Sequence, residues 1–469
     1  MSNKIVEMED GSKLEILGNP KVKVKNGGAL LGQGGQGVVY LVRDINTKKL
    51  LALKIYLTPM SNEFIDNLRK NIVKGEPNHS FLWPIAITNP LGVNGDRYGY
   101  VMECYDDKKY TSFGKIVKGQ ANFVSKDMQI AALIDLVDAF EVLHANGYSY
   151  QDLNDGGVRF DCENGKALIC DNDNVAPSGV NIPLDDNGHY IKGKFKYMAP
   201  EVATGMFKPD KHSDRFSLAV LMFMLLLHAH PYDGIKRLSG PLTPIIQEKI
   251  YGLEPVFIFH PTDKSNRPDP TIDINAIKAW PLIPDFIKEL FIRTFTSGMP
   301  SPNKTKEELL IERQARASEK EWRQALHKWM DTMVACPNCK LSFCVTVKNN
   351  QIEETVCPHC KKKVKLELPI LIIKRNGKVE RTIVLEEDKQ IAKSSVTSEK
   401  SNEPALIIKR SKKIYDVFGI ENLLTYQWRC SQQGAKDRLI KTNEIVPALN
   451  GVHIEFDYVY SGDIIYSRY

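Results

Sequence analysis

The chain lacks any apolar run long enough to cross a bilayer. Its most hydrophobic stretch, FSLAVLMFMLLLHAH from Phe216 to His230, falls short of the roughly 20 residues a membrane helix needs and reads as a buried helix. It also lacks a concentrated basic block. A formal charge of +6 spread over 469 residues tolerates anionic partners such as ATP but ranks nucleic acid low among them. The opening MSNKIVEMEDGSKLEILG mixes acidic and apolar side chains without a continuous apolar core, so neither a secretory signal nor a transit peptide is expected, and the expected compartment is the cytoplasm. With 42% hydrophobic and 26% charged residues the chain is neither disordered nor fibrous, and its length suits two or three domains. Cysteine is present: two of the pairs that nine cysteines can form have CxxC spacing, which without export signals favours metal over disulfides.

Strand-like runs alternate with turn signals from about Lys25 to Gln120, and helical periodicity dominates from Asp127 to Asp331, with strand-like pieces near Val158 and Leu168. A cysteine-rich stretch and a region of β-branched runs follow. The expected division is an N-terminal extension (1–24), a two-lobed α+β domain (25–332), a four-cysteine module (333–365) and a small all-β domain (366–469). LIIKR occurs twice, at Leu371–Arg375 and Leu406–Arg410, and is read as two strands of that last domain, the first turning through RNG into a hairpin.

LLGQGGQGVVYLV sets Gly32, Gly34, Gly37 and Val39 in a GxGxxGxV pattern, in which glycine allows backbone N–H groups to approach phosphate closely. Alone, the pattern fits a plain glycine-rich hairpin equally well. Downstream, LALKIY is an apolar strand carrying one lysine, Lys54, placed to reach phosphates beneath the loop; a strand-edge lysine in solvent is the competing reading.

At this point the sequence resembles the eukaryotic-type protein kinases, with the later landmarks in the family's order. YVMECY matches strand and hinge, which implies Met102 as gatekeeper and Glu103 to Tyr105 facing adenine. Asp152 in SYQDL stands at the catalytic aspartate, Asp171 in LICDND at the magnesium ligand, and YMAPE closes the activation segment at Tyr197–Glu201. Asp214 matches the buried aspartate of the long central helix, and Arg316 is expected to pair with Glu201. The resemblance covers about residues 25 to 332 and implies a bilobal fold, ATP and Mg2+ as cofactors and phosphoryl transfer to protein hydroxyls. Lys54 and the metal would neutralise the phosphates and Asp152 would orient the attacking hydroxyl. Turn-forming aspartates are the bland alternative for Asp152 and Asp171.

The site departs from the family's HRDLKPxN. Tyr150 and Gln151 replace His and Arg, Asn154 replaces Lys, and Gly157 replaces the asparagine that ligates a second magnesium. Arg159 stands where an apolar side chain floors the adenine pocket, so its guanidinium would fill the pocket or swing away. Glu63 is the candidate helix glutamate for Lys54, and Gln151 implies an activation segment not gated by phosphate. ICDNDNV, FIFHPTDKSNRP and GKFKYMAPE resemble a bacterial branch encoded beside a von Willebrand-type protein and a metal-dependent phosphatase in tellurium-resistance-linked stress systems, which implies those proteins as partners.

Cys336, Cys339, Cys357 and Cys360 form two CxxC knuckles seventeen residues apart, the pattern of a structural zinc ribbon; a redox-active dithiol is the competitor. The last segment's LxGxxIxF cadence resembles the end of forkhead-associated domains, without a clear phosphothreonine-binding set. The expected function is an ATP-dependent serine/threonine kinase of bacterial stress signalling, and the alternative is a pseudokinase scaffold.

Overall fold

The computed structural model describes residues 4–92, 94–185, 188, 193–239, 241–299, 304–399, 401, 403–411 and 417–466. The chain divides into two compact units, Met1–Arg323 and Gln324–Tyr469. The division falls inside the helix Glu319–Thr332.

The first unit begins with an eight-stranded sheet: β1 (Ile5–Glu7), β2 (Lys13–Ile16), β3 (Asn19–Lys23), β4 (Gly28–Gln33), β5 (Gly37–Asp44), β6 (Leu50–Tyr56), β7 (Pro84–Ile87) and β8 (Gly99–Glu103). Its order is β1-β2-β5-β6-β8-β7, with β3 joined to β4 and β4 to β5. Residues 1–24, expected as an extension, thus supply strands of the sheet: Leu14, Glu15 and Ile16 pair with Asp44, Arg43 and Val42. Val6, Met8, Leu14 and Ile16 bury into one cluster with Val42, Leu53 and Val101 because alternate residues of a strand share a face. Helix α1 (Asn62–Lys74) follows β6; Ser61 caps it by accepting from the Phe64 N–H, and Phe64, Ile65 and Leu68 form its buried stripe.

The second lobe holds α2 (Phe113–Val117), α3 (Lys126–Ala145), α4 (Pro200–Ala203) and α5 (Lys211–Leu227). A small sheet, β12-β11-β9, joins β9 (Tyr110–Ser112) to the hairpin of β11 (Val158–Asp161) and β12 (Lys166–Ile169), while β10 (Tyr148–Ser149) pairs β13 (Ala176–Pro177). Asp210 and Ser213 close a capping box at the start of α5. From Phe216 to Leu227 that helix is buried throughout, with Phe223 packed edge-on against Phe257, Phe291 and Phe295. Among the described residues no helix is long and apolar enough to cross a membrane.

The second unit is β-rich. One sheet runs Lys378–Val384, Ile370–Arg375, Tyr460–Ile465, Val452–Glu455, Trp428–Gln432, Arg438–Ile440; the other runs Gln390–Ala392, Pro404–Arg410, Phe418–Asn422, Ile445–Pro447. The two LIIKR copies lie in different sheets and bury Leu371, Ile373, Leu406 and Ile408 in one shared core. The first copy does turn back as a hairpin through Asn376 and Gly377, both at positive φ (48° and 76°), the turn that suits strand twist.

Candidate active site

Lys54 lies at the centre of the first unit's sheet, on β6 between Val39 of β5 and Tyr100 of β8. A Cβ on Gly37 would sit 2.9 Å from the Ile55 carbonyl and 3.3 Å from the Lys54 side chain, so glycine there lets β5 close directly over the lysine. Gly32 and Gly34 have nothing within 4 Å of their open faces, which leaves the turn above the lysine free to receive a ligand. The Lys54 side chain is 7% exposed, with its Nζ 2.7 Å from Asp173 Oδ2 and 3.8 Å from Asp171 Oδ1. Burial opposes its charge, and Asp173 and Asp171 more than offset that, raising its pKa above the ordinary lysine value.

The lysine's nearest partner is therefore not on α1. Glu63 is exposed in the first turn of the helix, and the exposed Asp66 is spent on Arg69 at 2.7 Å. The buried polar residues of α1 are Asn67 and Asn71, whose amides both donate to the Val175 carbonyl, at 2.8 and 2.7 Å. Asp173 is completely buried in the tight turn Asn172–Asn174, and its Oδ2 also accepts from Tyr56 Oη at 2.8 Å. Asn172 anchors that turn by donating to the carbonyls of Leu82 and Ile169, both at 2.9 Å.

Asp152 is half-buried on the loop after β10. Burial, reinforced by Asp171 and Asp173, lifts its carboxyl to about 6 against the opposing effects of Asn154 and Lys194. Asn154 Nδ2 donates to Asp152 Oδ1 at 3.0 Å, and its Oδ1 accepts from the Gly156 N–H, so neither end of this amide is free. The cation at this edge of the loop comes from the activation segment: Lys194 Nζ lies 2.6 Å from Asp155. Below the loop, Asp214 accepts the N–H groups of Tyr150 at 2.6 Å and Gln151 at 3.1 Å, and takes His144 Nε2 at 3.0 Å. The other ring nitrogen meets Glu319 at 2.9 Å. Burial works against a charged imidazole here, but the two carboxylates win and raise His144 to about 9. Gln151 Nε2 donates to the Val180 carbonyl at 2.7 Å, which ties the activation segment to the loop.

The residue changes in this loop fit one another. Tyr150 is buried, and its hydroxyl donates to the Cys170 carbonyl. A Cβ on Gly157 would lie 2.9 Å from that hydroxyl, whereas its next neighbours would be 3.7 Å away. The tyrosine thus occupies the space a side chain at 157 would need.

Met102 pairs with Ala52 across β6 and β8 and is buried in a cluster with Leu168 and Cys170, against which Leu31, Val39, Cys104 and Tyr105 pack. Glu103 turns its carboxylate to Lys49 at 2.6 Å, at the surface. Arg159 lays its guanidinium over the Tyr105 ring, 4.6 Å from the centroid, and lies 3.5 Å from Asp107. Glu201 is fully buried in a bidentate pair with Arg316, both bonds 2.7 Å, and also receives Arg313 at 2.9 Å. Of this group, sequence reasoning missed Asp173, Tyr56, His144, Glu319, Lys194 and Arg313. The second acid of DND was the one visible signal, since an aspartate buried by flanking apolar strands needs a partner.

In the second unit, Cys336, Cys339, Cys357 and Cys360 bring their sulfurs within 4.8 Å of one another. Two knuckles of the same form do this: Lys340 N–H donates to the Cys336 carbonyl and Lys361 N–H to that of Cys357, with both lysines at positive φ. The Cys336–Cys360 and Cys339–Cys357 sulfur distances are both 3.8 Å. Zinc at about 2.3 Å from each of four tetrahedral thiolates sets sulfur edges of roughly 3.8 Å, so the set can hold zinc. Cys344 instead donates to the Trp329 carbonyl, and His359 Nε2 is 3.0 Å from that of Ser342.

A glycine-rich turn over a buried lysine, with three carboxylates converging from the other lobe, is an arrangement that suits a nucleotide's phosphates. The chain belongs to the protein kinase domain family, whose model matches residues 26–273. Similar curated proteins include the serine/threonine-protein kinase SCH9 of Saccharomyces cerevisiae, 28% identical over 212 residues (43% of this chain, 24% of that one). PknD of Mycobacterium tuberculosis is 25% identical over 218 residues and PrkC of Bacillus subtilis 26% over 224, each covering 45% of this chain and 31% of the relative. Both are serine/threonine-protein kinases, and the match spans 24% to 31% of the length of these three relatives.

Proposed function

We propose that the chain is an ATP-dependent serine/threonine protein kinase of bacterial stress signalling that acts in the cytoplasm on protein hydroxyls. The observation that carries this reading is the position of Lys54 beneath the glycine-rich turn, 3.8 Å from Asp171, with Asp152 raised to about 6 beside it. The negative charges of Asp152, Asp171 and Asp173 outnumber the one lysine they surround, an excess that a divalent cation bound at the exposed Asp171 would offset. Asp171, whose side chain is 54% exposed, would hold magnesium, which when bound supplies charge neutralisation on the phosphates. Lys54 binds phosphate oxygens, Gly32, Gly34 and Gly37 let backbone N–H groups close over them, and Val39 and Met102 border the base beside Glu103 and Tyr105. Asp152 accepts the proton of the attacking hydroxyl, a role suited to a carboxyl tuned near the working pH. Gly157 supplies no second-metal ligand, so the reading is of a site with one metal ligand fewer than the family's pattern.

The four cysteines are read as a structural zinc ribbon, because a full set of ligands leaves no open position for chemistry. The β sandwich beside it is read as an interaction domain, with forkhead-associated-like character resting on its two-sheet form and the LxGxxIxF cadence. A cognate phosphatase and a von Willebrand-type protein are the proposed partners, on the motif resemblance.

A second reading, a pseudokinase scaffold, is favoured by Arg159, which occupies the hinge end of the cleft against Tyr105 and Asp107. Measuring the melting temperature with and without MgATP decides between them. A MgATP-dependent rise lost in Lys54→Ala and Asp171→Ala, followed by labelled phosphate on serine or threonine of a test protein, supports the kinase. No rise at millimolar MgATP, restored in Arg159→Ala, supports the scaffold.

A further inference from the structure

We infer that Asp173 is the positioning residue for Lys54, doing from the turn Asn172–Asn174 what a carboxylate on α1 does in other kinases. This rests on the kinase reading above. The lysine and Tyr56 are two residues apart on β6 and so share a face. Both contact the same oxygen of Asp173, at 2.7 and 2.8 Å. The carboxylate is wholly buried and the lysine nearly so, a pairing in which loss of the lysine strands the carboxylate's charge and loss of the carboxylate leaves the lysine only the more distant Asp171. The rings of Tyr56 and Tyr100, each 5.6 Å from Nζ, wall the lysine on two further sides.

A carboxylate on a mobile helix makes the lysine's position depend on where the helix stands. Here no carboxylate of α1 holds the lysine. The acids of α1, Glu63 and Asp66, are exposed, and the helix meets the site through the Asn67 and Asn71 amides on the Val175 carbonyl and through apolar packing, with Phe64 edge-on against Tyr56. Asp173 belongs to the same turn as the metal-binding Asp171, and Asn172 fastens that turn to Leu82 and Ile169. One turn therefore sets both the lysine and the residue proposed to hold the metal, and the lysine has its counter-charge without a carboxylate from α1. Control acting through that helix, by a partner or a phosphorylated residue, would have to act through its packing against Tyr56, since it brings no carboxylate to the lysine.

The test uses the full chain with Asp173→Asn, Lys54→Met, the double variant of these two, and Glu63→Gln/Asp66→Asn. Asp173→Asn and Lys54→Met should each lower the melting temperature by several degrees, and the double variant should recover most of that loss, as expected when a buried pair is removed together. In phosphotransfer, Asp173→Asn should raise KM for ATP by roughly tenfold or more and lower kcat/KM by roughly a hundredfold. The α1 double variant should stay within about twofold of wild type. A merely structural defect would shrink the folded fraction and leave KM for ATP unchanged. Additive melting shifts in the double variant, an unchanged KM in Asp173→Asn, or an α1 variant as impaired as Asp173→Asn would overturn the inference. If wild type neither binds MgATP nor transfers phosphate, the kinase reading fails, while the melting cycle still reports whether Asp173 holds Lys54.

Discussion

Replacing Gly157 with alanine tests whether this position is a degraded metal ligand or a steric match to Tyr150. The added methyl would lie 2.9 Å from the Tyr150 hydroxyl, about half an ångström inside ordinary contact, with every other neighbour at 3.7 Å or beyond. Tyr150 cannot yield cheaply: it is 1% exposed, its ring packs 5.9 Å from Phe140, and its hydroxyl donates to the Cys170 carbonyl. Overpacking at about 1–2 kcal/mol and a weakened buried hydrogen bond at about 1 kcal/mol give a cost of roughly 2–3 kcal/mol. Tyr150→Phe alone loses the bond and costs about 1–2 kcal/mol. In the double variant the clash has gone with the hydroxyl, so its cost should stay near about 1–2 kcal/mol rather than reach the sum of about 4. Urea unfolding of the full chain, scored on the transition that MgATP shifts, measures all three. Additive costs, or a Gly157→Ala cost below about 0.5 kcal/mol, would refute the steric account and return Gly157 to the status of a lost ligand.

Three further outcomes follow from the geometry. Asp152 must be ionised to accept a proton and its carboxyl is raised to about 6, so kcat/KM should be flat above that pH and fall tenfold per unit below it; a profile flat down to pH 5 would remove Asp152 as the base. His144 is raised to about 9 from an ordinary value of about 6.5, so the folded state binds its proton more tightly than the unfolded chain. Its contribution, on the order of 3 kcal/mol, is fully present below pH 6.5 and is lost as pH rises through 9. Chemical denaturation at pH 6.5 and 9.5 should show that loss in wild type and not in His144→Gln. The cysteine cluster should bind one zinc per chain, and stripping it with a chelator should expose four additional reactive thiols and lower the melting temperature of the transition that MgATP does not shift; unchanged thiol counts would exclude the metal.

How far the site was legible depends on whether its partners are neighbours in sequence. Lys54 could be placed because the glycine pattern and the apolar strand that carries it are joined by one hairpin, and the four cysteines because each knuckle is a local turn. Strands β1 and β2 escaped notice because three or four residues broken by acids carry too little alternation to register. The network of His144, Asp214 and Glu319 was beyond reach, since its members are 70 and 175 residues apart and a histidine near the end of an apolar helix gives no sign of two carboxylate partners. Asp173 was in plain view but masked by its company, because DNDN reads as a run of turn formers until the fold buries it against a lysine 119 residues away.

The departures from the family's pattern share one physical character: charges and volumes are conserved in space while their positions in the sequence change. A carboxylate expected on α1 stands instead in the turn after β12, 2.7 Å from the same lysine. A cation missing from position 154 is supplied from the activation segment by Lys194, which lies 2.6 Å from Asp155 and acts on the Asp152 carboxyl. The side chain lost at 157 is matched by a larger one at 150 whose hydroxyl fills its place. Random decay of an unused site would leave an unpaired lysine buried, a carbonyl without its donor or a cavity at the glycine, each costing stability on its own. Two of those losses are absent here, since Lys54 has its counter-ion and the Cys170 carbonyl its hydroxyl. Selection for folding alone would be met more simply by apolar residues at these positions, because a buried ion pair rarely stabilises more than its hydrophobic replacement. That the lysine, its carboxylate and Asp152 stand together, at a cost apolar packing would avoid, favours the proposed kinase reading over the scaffold.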